Sequence, residues 1–176
     1  MTTARYVHEC EPSRCPCDDA SCTLSRYVRD ASDLDITAMA VVSQVHRAAH
    51  ALRCHLERTV LTPHGLTWTG WVVLWVLWVW GETESRVVAA EAGLSKATLT
   101  GVQHTLIGRG LVQRRVHPED RRRVLLSSTE DGRRLTKQLL PELNAAEAWL
   151  TDGMDDPRQR ELARGLRTLV KRAEQG

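Results

Sequence analysis

The stretch from Ser85 to Gly110 constrains this chain more than any other, because its small residues fix where the backbone can turn. Ala89 stands four residues before Gly93, and Val88, Ala92, Leu94, Leu99 and Val102 supply apolar side chains at the offsets that two short crossing helices need. Ala89 lets the second helix approach closely, and Gly93 takes the positive φ of the turn without steric cost. Ser95 then falls at an N-cap position. Leu99, Val102 and Leu106 recur at three and four residues, so one face of the second helix packs inward. The opposite face carries Ser95, Lys96, Thr98, Thr100, Gly101 and His104. This is a helix-turn-helix pattern, and its second helix is the one that would enter a major groove. The same alanine–glycine spacing marks ordinary helical hairpins, so the residues after Gly110 have to discriminate.

Those residues read as a hairpin. Leu111 to Val116 has the pattern of a strand, His117-Pro118-Glu119-Asp120 of a turn, and Arg121 to Ser128 of a returning strand. From Ser85 to Arg123 there are eight Lys and Arg (Arg86, Lys96, Arg109, Arg114, Arg115, Arg121, Arg122, Arg123) against three acids (Glu91, Glu119, Asp120), a net of +5. The whole chain is only +2, so positive charge is concentrated where nucleic acid would lie. The 21 Arg against three Lys suit phosphate and minor-groove contacts, and a GC-rich genome would produce the same excess by codon bias.

These residues resemble the multiple-antibiotic-resistance regulators, the MarR family of bacterial transcription factors. The matching text is Leu66-Thr67 at the start of a helix, Leu94-Ser95-Lys96-Ala97-Thr98-Leu99-Thr100, Leu106, Gly110-Leu111-Val112, Asp120-Arg121-Arg122 and Thr129-Glu130-Asp131-Gly132. The resemblance implies a mainly α (α+β) fold, a winged helix-turn-helix with N- and C-terminal dimerisation helices. It also implies a homodimer on double-stranded DNA, with Arg122 in the minor groove and Asp120 orienting it. The expected DNA-binding set is Ser95, Lys96, Thr98, Thr100, His104, Arg114, Asp120, Arg121 and Arg122. The sequence departs from the family pattern at Gly101, often basic there, at Gln103, usually apolar, and at Ser128, usually leucine.

Around this centre the chain divides into a cysteine-rich segment (1–31), a dimerisation helix (32–66), the winged helix-turn-helix (67–128) and C-terminal dimerisation helices (129–176). Ser32 with Asp35 looks like a capping box for a helix to about Leu61, with Val42, Val45, Ala49, Leu52 and Leu56 on one seam. His46, His50 and Cys54 fall four apart beside it, a spacing that serves either a shared metal or a plain polar edge. Thr62-Pro63-His64-Gly65 breaks this helix, and Thr67 caps the next, which Gly81 stops after Trp80. Trp68, Trp71, Trp75 and Trp78 trace one face of it; they either pack the core or, by the family's effector position, line a cleft for an aromatic or lipophilic small molecule. Thr129 caps a long helix with Leu135, Leu139, Leu143, Ala146 and Leu150 on one face, with a bend expected at Pro141. Asp156-Pro157 start the last helix as N-cap and first residue, with Leu162, Leu166 and Leu169 or Val170 inward. Apolar seams on the first and the last two helices exceed what one winged helix covers, which predicts a dimer.

Cys10, Cys15, Cys17 and Cys22 put four cysteines into thirteen residues of an acidic stretch. Such a cluster can surround one centre, an iron–sulfur cluster or a four-coordinate zinc, with His8 as an extra ligand. Its spacing matches neither a zinc C-x2-C hook nor the plant-type ferredoxin run. A thiol–disulfide sensor, a Cys15-Pro16 haem site and an idle tail fit the same residues. There is no secretory pattern, and the apolar run Trp71 to Trp80 is too short to span a bilayer of roughly 30 Å, so a cytoplasmic protein without membrane partners is expected. In that compartment clustered cysteines bind metal or sense redox state more often than they form structural disulfides. The function this organisation points to is an operator-binding transcriptional regulator modulated at the cysteines or by a small ligand, and not an enzyme. The rival enzyme is a thiol-dependent oxidoreductase, against which stands the absence of a C-x-x-C with βαβ pattern, a G-x-S-x-G or a phosphate loop. A winged helix that mediates only protein contacts is the other rival.

Overall fold

The computed structural model describes residues 34–175. The chain divides into two units, Met1–Arg53 and Cys54–Gly176. The described part of the first is most of helix α1 (Ile36–Leu56). Asp35 caps it, accepting the Ala38 N–H on Oδ1 at 2.9 Å. The expected cap, Ser32, lies outside the described residues.

The second unit begins with the end of α1. The helical path loosens into a π turn, Glu57–Leu61, and tightens into a 3-10 turn, Thr62–His64. Gly65 ends it at φ 67°, a left-handed conformation that suits a residue without a Cβ. Thr67 then accepts the Gly70 N–H at 3.2 Å and starts α2 (Trp68–Trp80). The apolar run Trp71 to Trp80 is helical throughout, as expected. Its Val73, Leu74 and Leu77 are among the most deeply buried side chains of the unit. Among the described residues no single helix is long and apolar enough to cross a membrane.

The winged helix follows as β1 (Thr83–Glu84), α3 (Ser85–Glu91), α4 (Lys96–Gly108), β2 (Val112–Val116) and β3 (Val124–Ser128). The fold is mainly helical with one small antiparallel sheet of order β1-β3-β2. Val112 pairs with Ser128 and Val116 with Val124, while Thr83 pairs with Leu126. The sequence misses β1, whose two residues are too few to show an alternating pattern. It also starts the return strand at Arg121, whereas the structure starts it at Val124. The reason is a turn at the tip: the Arg122 N–H donates to Asp120 Oδ1 at 2.9 Å, and the Arg123 N–H to the Asp120 carbonyl at 2.9 Å. Those amides are committed before a strand can use them.

Helix α5 (Glu130–Leu150) runs unbroken through Pro141. Leu139 and Leu143 enter the core, with Leu135, Ala146 and Leu150 packed against it. Thr129 caps the helix by accepting the Gly132 N–H at 3.1 Å, and its hydroxyl donates to the Gly110 carbonyl at 2.6 Å. Helix α6 (Asp156–Ala173) is capped by Asp155, not Asp156. The Asp155 carboxylate accepts the Arg158 N–H at 3.0 Å, which moves Pro157 to the second helical position, where its missing N–H still costs nothing. Leu162, Leu166, Leu169 and Val170 do not face inward as expected. They are 39–56% exposed, and no residue of α6 is buried.

One contact is tight enough to dictate its residue. A Cβ on Gly132 would overlap the Leu111 carbonyl oxygen, a backbone atom that cannot rotate away. A Cβ on Gly101 would meet nothing within 4 Å. Gly132→Ala is therefore expected to destabilise the fold by about 3 kcal/mol, the upper end of the usual cost of overpacking. Gly101→Ala should stabilise it by roughly 0.5–1 kcal/mol, the helical difference between the two residues. Urea unfolding of the two variants beside the parent checks both signs.

Candidate nucleic-acid interface

The interface begins at the turn between α3 and α4. Ala89 is buried, the Leu94 N–H donates to its carbonyl at 2.8 Å, and Gly93 takes φ 62°. Ser95 caps α4, its Oγ accepting the Thr98 N–H at 3.0 Å and lying 2.8 Å from the Thr98 hydroxyl. Leu99 and Leu106 turn inward, leaving Ser95, Lys96, Thr98, Thr100 and His104 exposed. The Thr100 hydroxyl donates to the Lys96 carbonyl at 2.9 Å.

Helix α4 and the wing enclose an open cleft of about 650 Å³. Lys96 and Thr100 line it from the helix, and Arg114 and Arg122 from the wing. Ser95, His104 and Arg121 do not line it, and Thr98 borders a second cleft, of about 350 Å³, between α4 and the start of α2. Gln103 lines the larger cleft with its Oε1 buried and, among the described residues, without a hydrogen-bond partner. The Ser128 Oγ is in the same condition beneath the wing. Both sit where the family pattern has an apolar side chain, and an unpaired buried acceptor or hydroxyl costs roughly 1–3 kcal/mol.

The eight cations of this region are not equivalent. Arg115 forms a two-pronged pair with Glu82 just before β1. That hydrogen bond holds the Glu82 carboxyl below its ordinary value and raises the Arg115 guanidinium. With the Glu82 value depressed, the pair is complete above the usual carboxylate range and is lost as pH falls through the folded value. Glu84 accepts Arg86 at 2.6 Å and Arg123 at 3.0 Å, and Asp120 Oδ2 stands 3.3 Å from Arg123. Asp120 thus orients the backbone of Arg122 and pairs with the side chain of Arg123. Arg109 binds backbone carbonyls. Lys96, Arg114, Arg121 and Arg122 remain without a carboxylate partner among the described residues. The sequence could not sort them, because Glu82 lies 33 positions before Arg115.

The other expected sites fare differently. Trp71 is 7% exposed and belongs to the core, Trp68 packs against the core half-buried, and Trp75 is 40% exposed. The Trp71 and Trp75 rings lie 6.0 Å apart, and neither cleft beside α4 is lined by a tryptophan. Among the described residues no three His, Cys, Asp or Glu side chains are grouped to hold a metal, and His46, His50 and Cys54 form no such group. Cys10, Cys15, Cys17 and Cys22 lie outside the described residues.

Residues 66–124 match the model of the MarR family. A helix-turn-helix-type transcriptional regulator of Bacillus subtilis strain 168, the uncharacterised YwaE, is 34% identical over 137 residues, covering 78% of this chain and 80% of its own. The chain belongs to the MarR family. Among solved structures, Bordetella bronchiseptica BpsR is 26% identical with a TM-score of 0.69, covering 74% of this chain and 98% of its own. That structure concerns regulation of its DNA binding by 6-hydroxynicotinic acid. A cysteine-to-serine mutant of Escherichia coli MarR, solved with operator DNA, shares the fold at a TM-score of 0.71 and 20% identity, over 79% of this chain and 99% of its own. As a MarR-type protein this chain is a DNA-binding transcriptional regulator.

The sorting of the arginines makes a measurable difference. Each phosphate neutralised contributes about 0.9 to the slope of log affinity against log salt. Arg114→Ala should reduce that slope by about 0.9, whereas Arg115→Ala, already neutralised by Glu82, should leave it nearly unchanged. Fluorescence anisotropy on a DNA duplex over a salt series measures both.

Proposed function

We propose that this protein binds a pseudo-palindromic operator as a homodimer, each subunit placing α4 from Ser95 to His104 in the major groove and Arg122 of the wing in the adjacent minor groove. The observation that carries this reading is the cleft between α4 and the wing, where Lys96, Thr100, Arg114 and Arg122 converge while the lining carboxylate, Glu84, is taken up by Arg86 and Arg123. Arg121, at the wing tip, adds phosphate attraction. The exposed seam of Leu162, Leu166, Leu169 and Val170 supports the dimer, because an apolar stripe left open on one chain is covered by a second copy. A cytoplasmic location follows from that role.

Two inputs could set operator affinity. The first is a redox or metal centre, iron–sulfur or zinc, at Cys10, Cys15, Cys17 and Cys22, supported by the density of cysteines alone. Such a centre would act by changing the separation of the two reading heads, since half-sites about one DNA turn apart tolerate little mismatch. The second is a small aromatic ligand against the exposed Trp75 ring, supported by the aromatic acid that regulates BpsR.

Arg122→Ala should weaken operator binding in a gel-shift titration by about tenfold or more, in the range of a lost base-edge contact, and by more than Arg121→Ala does. Unchanged affinity would remove Arg122 from the interface. Protein purified without oxygen should carry iron with acid-labile sulfide, or zinc, and its operator affinity should change on oxidation. Metal-free protein with redox-independent binding would leave the tryptophan site, which quenching of Trp75 fluorescence by an aromatic acid would report.

A further inference from the structure

Arg109 counts among the eight cations of the interface, yet its guanidinium is turned away from the cleft that Lys96, Arg114 and Arg122 share. It caps the C-terminal end of α4 and donates to two successive carbonyls, Gly65 at 2.5 Å and His64 at 2.8 Å. Gly65 is the left-handed residue that turns the chain from the 3-10 turn toward α2, and the guanidinium lies flat over it, 3.5 Å from where a Cβ would stand. The same turn is braced twice more. The His64 imidazole Nε2 meets Glu142 Oε2 of α5 at 3.2 Å, and the Glu57 carboxylate accepts the N–H of Trp68 at 3.0 Å. The end of the reading helix is therefore tied through one arginine to a junction that also holds the π turn, the start of α2 and the middle of α5.

We propose that Arg109 is a positioning residue for DNA reading: it sets the tilt of α4 by clamping the 64–65 turn, and His64 with Glu142 fixes that turn to α5. This rests on the operator-binding reading above. A planar fork with two parallel donors can hold two adjacent carbonyls in one orientation, which a lysine cannot do. A small error in helix tilt spoils base-edge hydrogen bonds but barely changes attraction to phosphates. Loss of the clamp should therefore lower sequence discrimination while leaving nonspecific binding alone.

The test uses the full chain and two duplexes of equal length, one enriched by the parent protein from a randomised pool and one of random sequence. Arg109→Ala and Arg109→Lys are each expected to bind the enriched duplex about tenfold more weakly, with random-duplex affinity and salt slope unchanged. Glu142→Ala, at an exposed carboxylate, should lower the same ratio two- to threefold and serves where the Arg109 variants fail to fold. If Arg109→Ala weakens both duplexes with a smaller salt slope while Arg109→Lys binds like the parent, Arg109 is a phosphate contact and the proposal fails. An unchanged ratio in folded Arg109 variants overturns it as well. An unchanged ratio in Glu142→Ala removes the link to α5. A parent protein that enriches no duplex would overturn the operator-binding reading itself, which separates the two failures.

Discussion

The winged helix depends on a backbone contact that only one residue type permits. Gly132, in the first turn of α5, lies against the Leu111 carbonyl so closely that any side chain would intrude on it. Hydrogen bonds converge on the same spot: the Thr129 N–H reaches Leu111 O at 3.1 Å, the Thr129 hydroxyl reaches Gly110 O, and Arg133 reaches Ser128 O at 2.9 Å. Together they lock the roots of both wing strands to the start of a helix whose Leu139 and Leu143 lie in the core. The wing therefore extends from a rigid base, and its tip arginines inherit a defined position. The T-x-x-G pattern is in this chain the chemical description of that joint: threonine for cap and bridge, glycine for the approach.

Electrostatics divides the labour on the surface so positioned. Glu82 precedes the short strand β1 and Glu84 ends it, and pairing of Thr83 and Glu84 with β3 brings the two carboxylates beside Arg115 and Arg123 of the wing. Arg115 and Arg123 are thereby neutralised by Glu82 and Glu84, and Lys96, Arg114 and Arg122 in the cleft and Arg121 at the tip stay without a carboxylate partner among the described residues. These pairs are exposed and add little stability. Their effect is on where the field points. A uniformly basic wing would attract any phosphate it met, whereas this one leaves two of its arginines, Arg114 and Arg122, uncompensated at the cleft and Arg121 at the tip.

Much of this was legible in the sequence because it is fixed by local physics. Thr67, Ser95 and Thr129 each cap the helix they were expected to cap, and Gly65, Gly81 and Gly93 all take positive φ. The inward faces of α4 and α5 follow from spacing alone. What escaped depends on contacts distant in sequence or on choices between equal neighbours. Asp155 and Asp156 are the same residue type in adjacent places, and only the folded backbone selects the first as cap. Pairing of Arg115 with Glu82 arises when β1 docks on β3, which no window around either residue shows. Trp71 and Trp75 share one face of α2 by periodicity, yet one is in the core and the other is exposed, because α2 is apolar on every side and tertiary packing alone decides what is covered.

The empty space beside Gly101 bears on how such a protein diversifies. The position lies mid-way along α4, on the rim of the cleft toward the start of α2, and a Cβ there would meet no atom within 4 Å. Alanine, serine, lysine or arginine could be placed there without repacking the interior, and under the operator-binding proposal each would change the chemistry that α4 offers to DNA. Most positions in a folded domain couple a change of chemistry to a cost in stability. Here the two are uncoupled, so under the same proposal operator preference can drift by single substitutions while the fold stays intact. A lineage could acquire new target genes through this one site.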